Sequence, residues 1–234
     1  MPKEFEINKQ VDLAATPEQV WEAIATERGL AAWFMPMPID AKNDNVVAWE
    51  PGKRLRFETP TGDDGSASAF EYLIEARNAG CTVLRFVHSG FISDDWGDEF
   101  EATTGFGWDM YFATMVAYFE HFSGMSATYI EAEGPRSTAS AEGWQRLRSK
   151  LSSPPPGLGD AVRIALDGGP VDGVVDYLTP QFIGLRTNDA LIRFHGRWPI
   201  GMSIAVSHHA YARTHSPLDP EPLVAAWTRW LGDL

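Results

Sequence analysis

The 234 residues contain a single cysteine, Cys81, so no intramolecular disulfide can form and a disulfide-stapled scaffold is excluded. Basic side chains are scarce: 19 Lys and Arg stand against 32 Asp and Glu, a formal net charge of -13. A phosphate backbone repels such a chain, so no nucleic-acid partner is expected. Anionic lipid is disfavoured for the same reason. Long apolar runs are also missing. The longest, Met110 to Phe119, reaches half of the ~20 residues needed to cross a bilayer, so no membrane partner is expected. The opening Met1-Pro2-Lys3-Glu4 lacks the apolar stretch of a signal peptide, and the cytoplasm is the expected location.

The familiar signatures of chemistry are absent too. The chain has no Gly-x-Ser-x-Gly elbow, no P-loop and no Rossmann glycine pattern after a strand. No cysteine pair or His-Glu-x-x-His pattern suggests a metal, and no cofactor is expected. His208 and His209 are adjacent, with His195 and His215 nearby. Neighbours on a strand point to opposite faces, so such a pair cannot chelate one ion unless the strand bulges. Asp94, Asp95, Asp98, Glu99 and Glu101 precede a long helical pattern. They read as charges complementing a helix N-terminus, with calcium the alternative, although the spacing lacks the EF-hand pattern.

Aromatic residues are what the chain has in plenty, with 9 Trp and 13 Phe. They fill a core on the plainer reading and line a cavity on the other. Phe5, Ile7, Val11 and Leu13 alternate with polar residues over 3–13, the period of a half-buried strand. Thr16-Pro17-Glu18-Gln19 supplies an N-cap, a proline at the first helical position and a capping-box glutamine. Val20, Trp21 and Ile24 stripe the short helix that follows, and Leu30, Trp33 and Phe34 belong to a second. Val46 to Trp49 turns through Pro51-Gly52 into Leu55, Phe57 and Thr59. Phe70, Tyr72 and Ile74 alternate next, and Asn78-Ala79-Gly80 turns into Thr82, Leu84, Phe86 and His88. These are antiparallel hairpin signals. From 98 to 123 the period changes, and Phe100, Thr104, Gly107, Tyr111, Thr114, Met115, Tyr118 and Phe122 recur at three and four. The expected class is α+β, an antiparallel sheet gripping one long helix.

The domain boundary is expected near 124, with a second α+β domain over 125–234. Its signals are a strand over 127–133, a helix over 139–151, strands near 160–167, 171–178, 181–187, 190–197 and 202–212, and a closing helix after Asp219-Pro220. Trp144 and Leu147 stand in its first helix as Trp21 and Ile24 stand in theirs. A reduced repeat of the first half is one reading; a single sheet extended by the second half is the rival.

The string Thr16-Pro17-Glu18-Gln19-Val20-Trp21 resembles the opening helix of the SRPBCC superfamily, which includes START domains, pollen-allergen-like proteins and polyketide cyclases. Trp33-Phe34, Trp49 to Phe57, Leu84 to Phe91 and the Gly107-Trp108 pair are similar to the branch named for homologues of an activator of a heat-shock chaperone ATPase. The resemblance spans residues 3–123. It implies a helix-grip fold with a cavity between sheet and long helix, but hosts binders and enzymes alike.

The candidate ligand-binding residues on this layout are Trp33, Phe57, Phe86, His88, Gly107, Tyr111, Met115 and Tyr118. A glycine inside a helix costs about 1 kcal/mol relative to alanine, so Gly107 needs an offsetting reason. Tight packing on the sheet is preferred over room for a ligand. The leading functional reading is non-enzymatic binding of an apolar or aromatic small molecule. The alternatives are a cyclase- or dehydratase-type enzyme using His88 or Tyr111 as acid or base, and an interaction module acting on a chaperone or regulator. No protein partner is identified by the sequence.

Overall fold

Alternation at the start of the chain becomes strand β1, Lys3–Leu13, in which Phe5, Ile7 and Leu13 are buried and Glu4, Glu6, Asn8 and Asp12 exposed. The computed structural model describes residues 3–77, 80–92, 100–212 and 218–234. The turn at 78–79, the acidic cluster from Asp94 to Glu99, and His215 lie outside them.

Helix α1, Pro17–Ala25, begins as its cap requires. The Thr16 hydroxyl accepts from Gln19 N, and the Gln19 side chain accepts from Thr16 N at 2.9 Å. Val20 and Ile24 are fully buried, while Trp21 stays half-exposed and meets the edge of Trp49. Helix α2 is shorter than its pattern suggests. It runs Glu27–Ala31, and Trp33 and Phe34 fall just beyond it. Strands β2 (Val46–Glu50), β3 (Arg54–Glu58), β4 (Ala67–Ala76) and β5 (Thr82–Ile92) follow. The turn joining β2 to β3 is closed by Lys53 N donating to Glu50 O at 2.9 Å, with Gly52 at φ 71°. Only glycine adopts that angle at no steric cost.

All five strands pair antiparallel in the order β1-β5-β4-β3-β2. Against this sheet lies α3, Phe100–His121, a helix-grip arrangement. Trp108 and Phe112 carry the packing, both against Phe86 of β5. Lys9 of β1 reaches the same helix and pairs with Asp109 at 2.7 Å. Burial on α3 is not confined to one stripe, because Met110 and Thr114 are buried as well as Phe112 and Met115.

The chain divides into two compact units, 1–123 and 124–234. The second forms its own sheet instead of extending the first. It runs β6 (Ser126–Glu133), α4 (Ala141–Leu151), β7 (Ala161–Leu166), β8 (Gly169–Leu178), β9 (Phe182–Arg186), β10 (Ala190–His195), β11 (Ala205–Ala212) and α5 (Glu221–Gly232). Its strand order is β6-β11-β10-β9-β8-β7, again antiparallel throughout. Each unit thus places its first strand beside its last, and its closing helix follows that last strand. On this sheet the buried Arg193 forms a two-pronged pair with Asp176, at 2.8 and 3.0 Å. Gly184 leaves the room, since a Cβ there would lie 2.5 Å from the guanidinium.

Among the described residues no helix is long and apolar enough to cross a membrane.

Candidate functional site

Side chains from the same face of neighbouring strands meet across a sheet. Phe57 of β3 is opposite Phe70 of β4, and Phe70 is opposite His88 of β5. The rings form a continuous row: Phe57 stacks on Phe70 at 5.0 Å, and Phe70 stacks on His88 at 4.3 Å. Tyr72 stands two residues along β4 from Phe70. Above the row, α3 presents Thr104, Trp108 and Tyr111 at the i, i+4, i+7 spacing of one helical face, with Gly107 among them.

Between row and helix lies a cavity of about 590 Å³. Phe57, Thr59, Phe70, Tyr72 and His88 line it from the sheet side, and Thr104, Gly107, Trp108 and Tyr111 from the helix. Phe34 and Met37, just after α2, close one side. Phe34 is fixed by its edge contact with Tyr111, ring centres 4.5 Å apart. A Cβ added to Gly107 would meet no described residue within 4 Å. Tight packing, the explanation preferred from the sequence, is therefore not why a glycine stands here. The position lines the cavity instead.

His88 is held by one directional bond: Trp108 Nε1 donates to His88 Nδ1 at 3.2 Å. An indole nitrogen can only donate, so Nδ1 carries no proton and the neutral ring holds its proton on Nε2. Burial acts in the same direction, pushing the imidazole down to about 4. Nε2 is buried and has no hydrogen-bond partner among the described residues. Burial raises the Tyr72 phenol well above its ordinary value of 10.

The same bond recurs in the second unit, where Trp227 Nε1 donates to His208 Nδ1 at 3.1 Å. The settings correspond. His88 lies opposite Ile7 and Phe70 on its neighbouring strands, and His208 opposite Ile130 and Ile192. Both histidines sit on the last strand and both tryptophans on the closing helix. In the second unit the bond is embedded in a packed cluster with Ile192, Phe194, Trp230 and Leu231. His209, the adjacent residue, faces the other way and meets Tyr129, with ring centres 5.2 Å apart.

Three buried histidines make stability depend on pH. Burial lowers His88 and His208 to about 4, against a small opposing pull from Asp189 on His208. It lowers His195 to about 3, helped by the charge of Arg197. The unfolded chain takes up a proton near 6.5 at each site and the folded chain does not. Stability is therefore full above about pH 6.5 and is lost as pH falls towards 4, at about 1.4 kcal/mol per pH unit per histidine. Denaturant melts at pH 7, 5.5 and 4.5 are expected to show this slope. The Gln variants of His88 and His208 keep an acceptor for the indole and should each flatten it by one proton. A profile unchanged by both variants would contradict the assignment.

Of the eight residues expected at the site, Phe57, His88, Gly107 and Tyr111 line the cavity. Trp33, Phe86, Met115 and Tyr118 are placed elsewhere. Trp33 is fully buried, stacks on Phe112 and donates from Nε1 to Ala23 O at 3.0 Å. Phe86 lies beneath Trp108, ring centres 4.3 Å apart. Met115 is fully buried and Tyr118 is 8% exposed, one and two helical turns past Tyr111. Phe34, Met37, Thr59, Phe70, Tyr72, Thr104 and Trp108 were not among those expected. The alternation of Phe70 with Tyr72 and the i, i+4, i+7 spacing from Thr104 could have found four of them.

No family model and no curated protein matches the chain. Solved structures similar to it include the Aha1 dimer from Colwellia psychrerythraea, at 20% identity over 51% of this chain and 99% of that one, with a TM-score of 0.42. Protein CV1439 from Chromobacterium violaceum is 20% identical over 49% of this chain and 96% of that one, TM-score 0.41. DynU16, a protein of the dynemicin biosynthetic locus, is 18% identical over 97% of this chain and 96% of that one, TM-score 0.40.

Proposed function

We propose that the first unit binds an apolar or aromatic small molecule in the cavity between α3 and strands β3 to β5, without transforming it. The observation that carries this reading is Gly107. A mid-helix glycine costs stability, and here it faces open space instead of a close neighbour. The surrounding rings offer flat apolar contact, and a pocket of this size suits a drug-sized molecule. We also read the second unit as a degenerate copy of the first. Setting Trp227 on Trp108 places Ala226 at Gly107 and Trp230 at Tyr111, so larger side chains fill the matching space. This correspondence bears on the enzyme alternative. An imidazole–indole bond present in both units, and enclosed by packed side chains in the second, suits architecture better than acid–base chemistry.

The test is a fluorescence titration with N-phenyl-1-naphthylamine, a neutral apolar probe that brightens when shielded from water. Saturable binding of one probe per chain is expected, together with a retained small molecule in native mass spectra of freshly purified protein. A linear, unsaturable signal and a bare native mass would overturn the reading.

A further inference from the structure

Buried phenols ordinarily find a hydrogen-bond partner, because an unpaired hydroxyl in an apolar setting is costly. Tyr72 is 3% exposed and lines the cavity from the centre of β4. Its hydroxyl makes no hydrogen bond to another described residue and is not one of the fully enclosed unpaired atoms, so it is reached from the cavity. We propose that this hydroxyl is the polar anchor of the ligand, and that it selects an uncharged aromatic molecule carrying a hydrogen-bond acceptor, such as a ketone or quinone oxygen. The inference rests on the binding function proposed above and narrows it to a ligand class.

The charge state of the wall sets the first half of that description. None of the lining residues carries a formal charge at neutral pH: His88 is held neutral, and the phenol of Tyr72 stays protonated because burial raises it. A charged ligand would lose its hydration there with no opposite charge to compensate. The second half follows from the protons. A neutral phenol can donate, and the proton on His88 Nε2 has no acceptor among the described residues, so these two groups call for acceptors on the ligand.

The second unit provides an internal comparison. Tyr72 lies opposite Phe86, two residues before His88, and Phe194 lies opposite Val206, two residues before His208. The matching position is therefore Phe194, the same ring without the hydroxyl. It is fully buried and packs against Trp227 and Trp230, with ring centres 5.7 and 5.8 Å away. A hydroxyl serving only the fold would be as useful in one unit as in the other. It occurs in the unit with the cavity and not at the packed position.

The test compares Tyr72→Phe with the parent chain using two neutral naphthalene probes. One is 6-propionyl-2-(dimethylamino)naphthalene, whose ketone is an acceptor and whose emission shifts to the red when that ketone is hydrogen-bonded. The other is N-phenyl-1-naphthylamine, which has no carbonyl. Tyr72→Phe is expected to weaken the ketone probe by roughly ten-fold. It should also shift that probe's bound emission to the blue, while leaving the second probe's affinity within two-fold of the parent's. The unliganded variant should melt no lower than the parent, since it loses an unpaired hydroxyl. Equal affinities for both probes in both proteins, or an equal loss for both probes, would overturn the anchor while the cavity reading survives. If neither probe binds the parent, the cavity reading falls and the anchor falls with it.

Discussion

Gly107→Leu is expected to lower the affinity for N-phenyl-1-naphthylamine at least ten-fold while leaving the chain as stable as the parent or more so. No described residue lies within 4 Å of the position a Cβ would take, and Gly107 lines the cavity, so the isobutyl group is expected to grow into it. Helix propensity works in its favour, since replacing a mid-helix glycine by a good helix former is worth about 1 kcal/mol. In a position packed on the sheet the same change would overpack and cost about 1–3 kcal/mol. Binding and stability are therefore expected to move in opposite directions. A variant that is clearly destabilised, or one that binds the probe as well as the parent, would mean that Gly107 does not border a usable space.

Tyr118→Ala is expected to behave in the contrary way, losing about 3–5 kcal/mol of stability, the range for truncating a large buried ring. Tyr118 is 8% exposed and lies two turns beyond Tyr111, with the ring of Phe119 at 5.1 Å. Had it roofed the cavity, fewer contacts would be lost and the cost would stay below about 2 kcal/mol. Urea melts of the variant decide between the two values. A loss under about 2 kcal/mol would extend the cavity further along α3 than the lining residues indicate.

These two residues show where sequence reasoning succeeds and where it stops. Strands such as β1 and β7 were legible because each has one buried and one exposed face. β1 and β4 announce themselves by alternation, and the capping box at Thr16 fixes the start of α1 to the residue. The helical period of α3 was legible too, but not its facing. Met110, Phe112, Thr114, Met115, Tyr118 and Phe119 are all buried, so the helix is apolar around most of its circumference and no single stripe stands out. The sequence consequently favoured a row running on to Met115 and Tyr118, and omitted Trp108, whose ring meets the sheet. Trp33 was misplaced for a related reason. Its indole is drawn inward by the carbonyl of Ala23, a contact ten residues away in sequence that no local pattern records. Tyr72 could be placed on the inner face by alternation, but that its hydroxyl has no partner among the described residues becomes visible only in the fold.

The recurrence of the histidine–tryptophan bond was hidden for yet another reason. His88 and Trp108 are 20 residues apart, and His208 and Trp227 are 19 apart. The flanking residues differ so much that the halves share little identity. What is repeated is a register, each histidine opposite an isoleucine of its unit's first strand.

The most direct measurement is a crystal structure of the protein soaked with N-phenyl-1-naphthylamine. The expected result is density for one probe in the first unit, its rings between Phe70 and Tyr111 and within van der Waals distance of Gly107. A cavity filled by inward-turned side chains, or a probe bound only on the outer surface, would contradict the proposal that this unit encloses a small molecule.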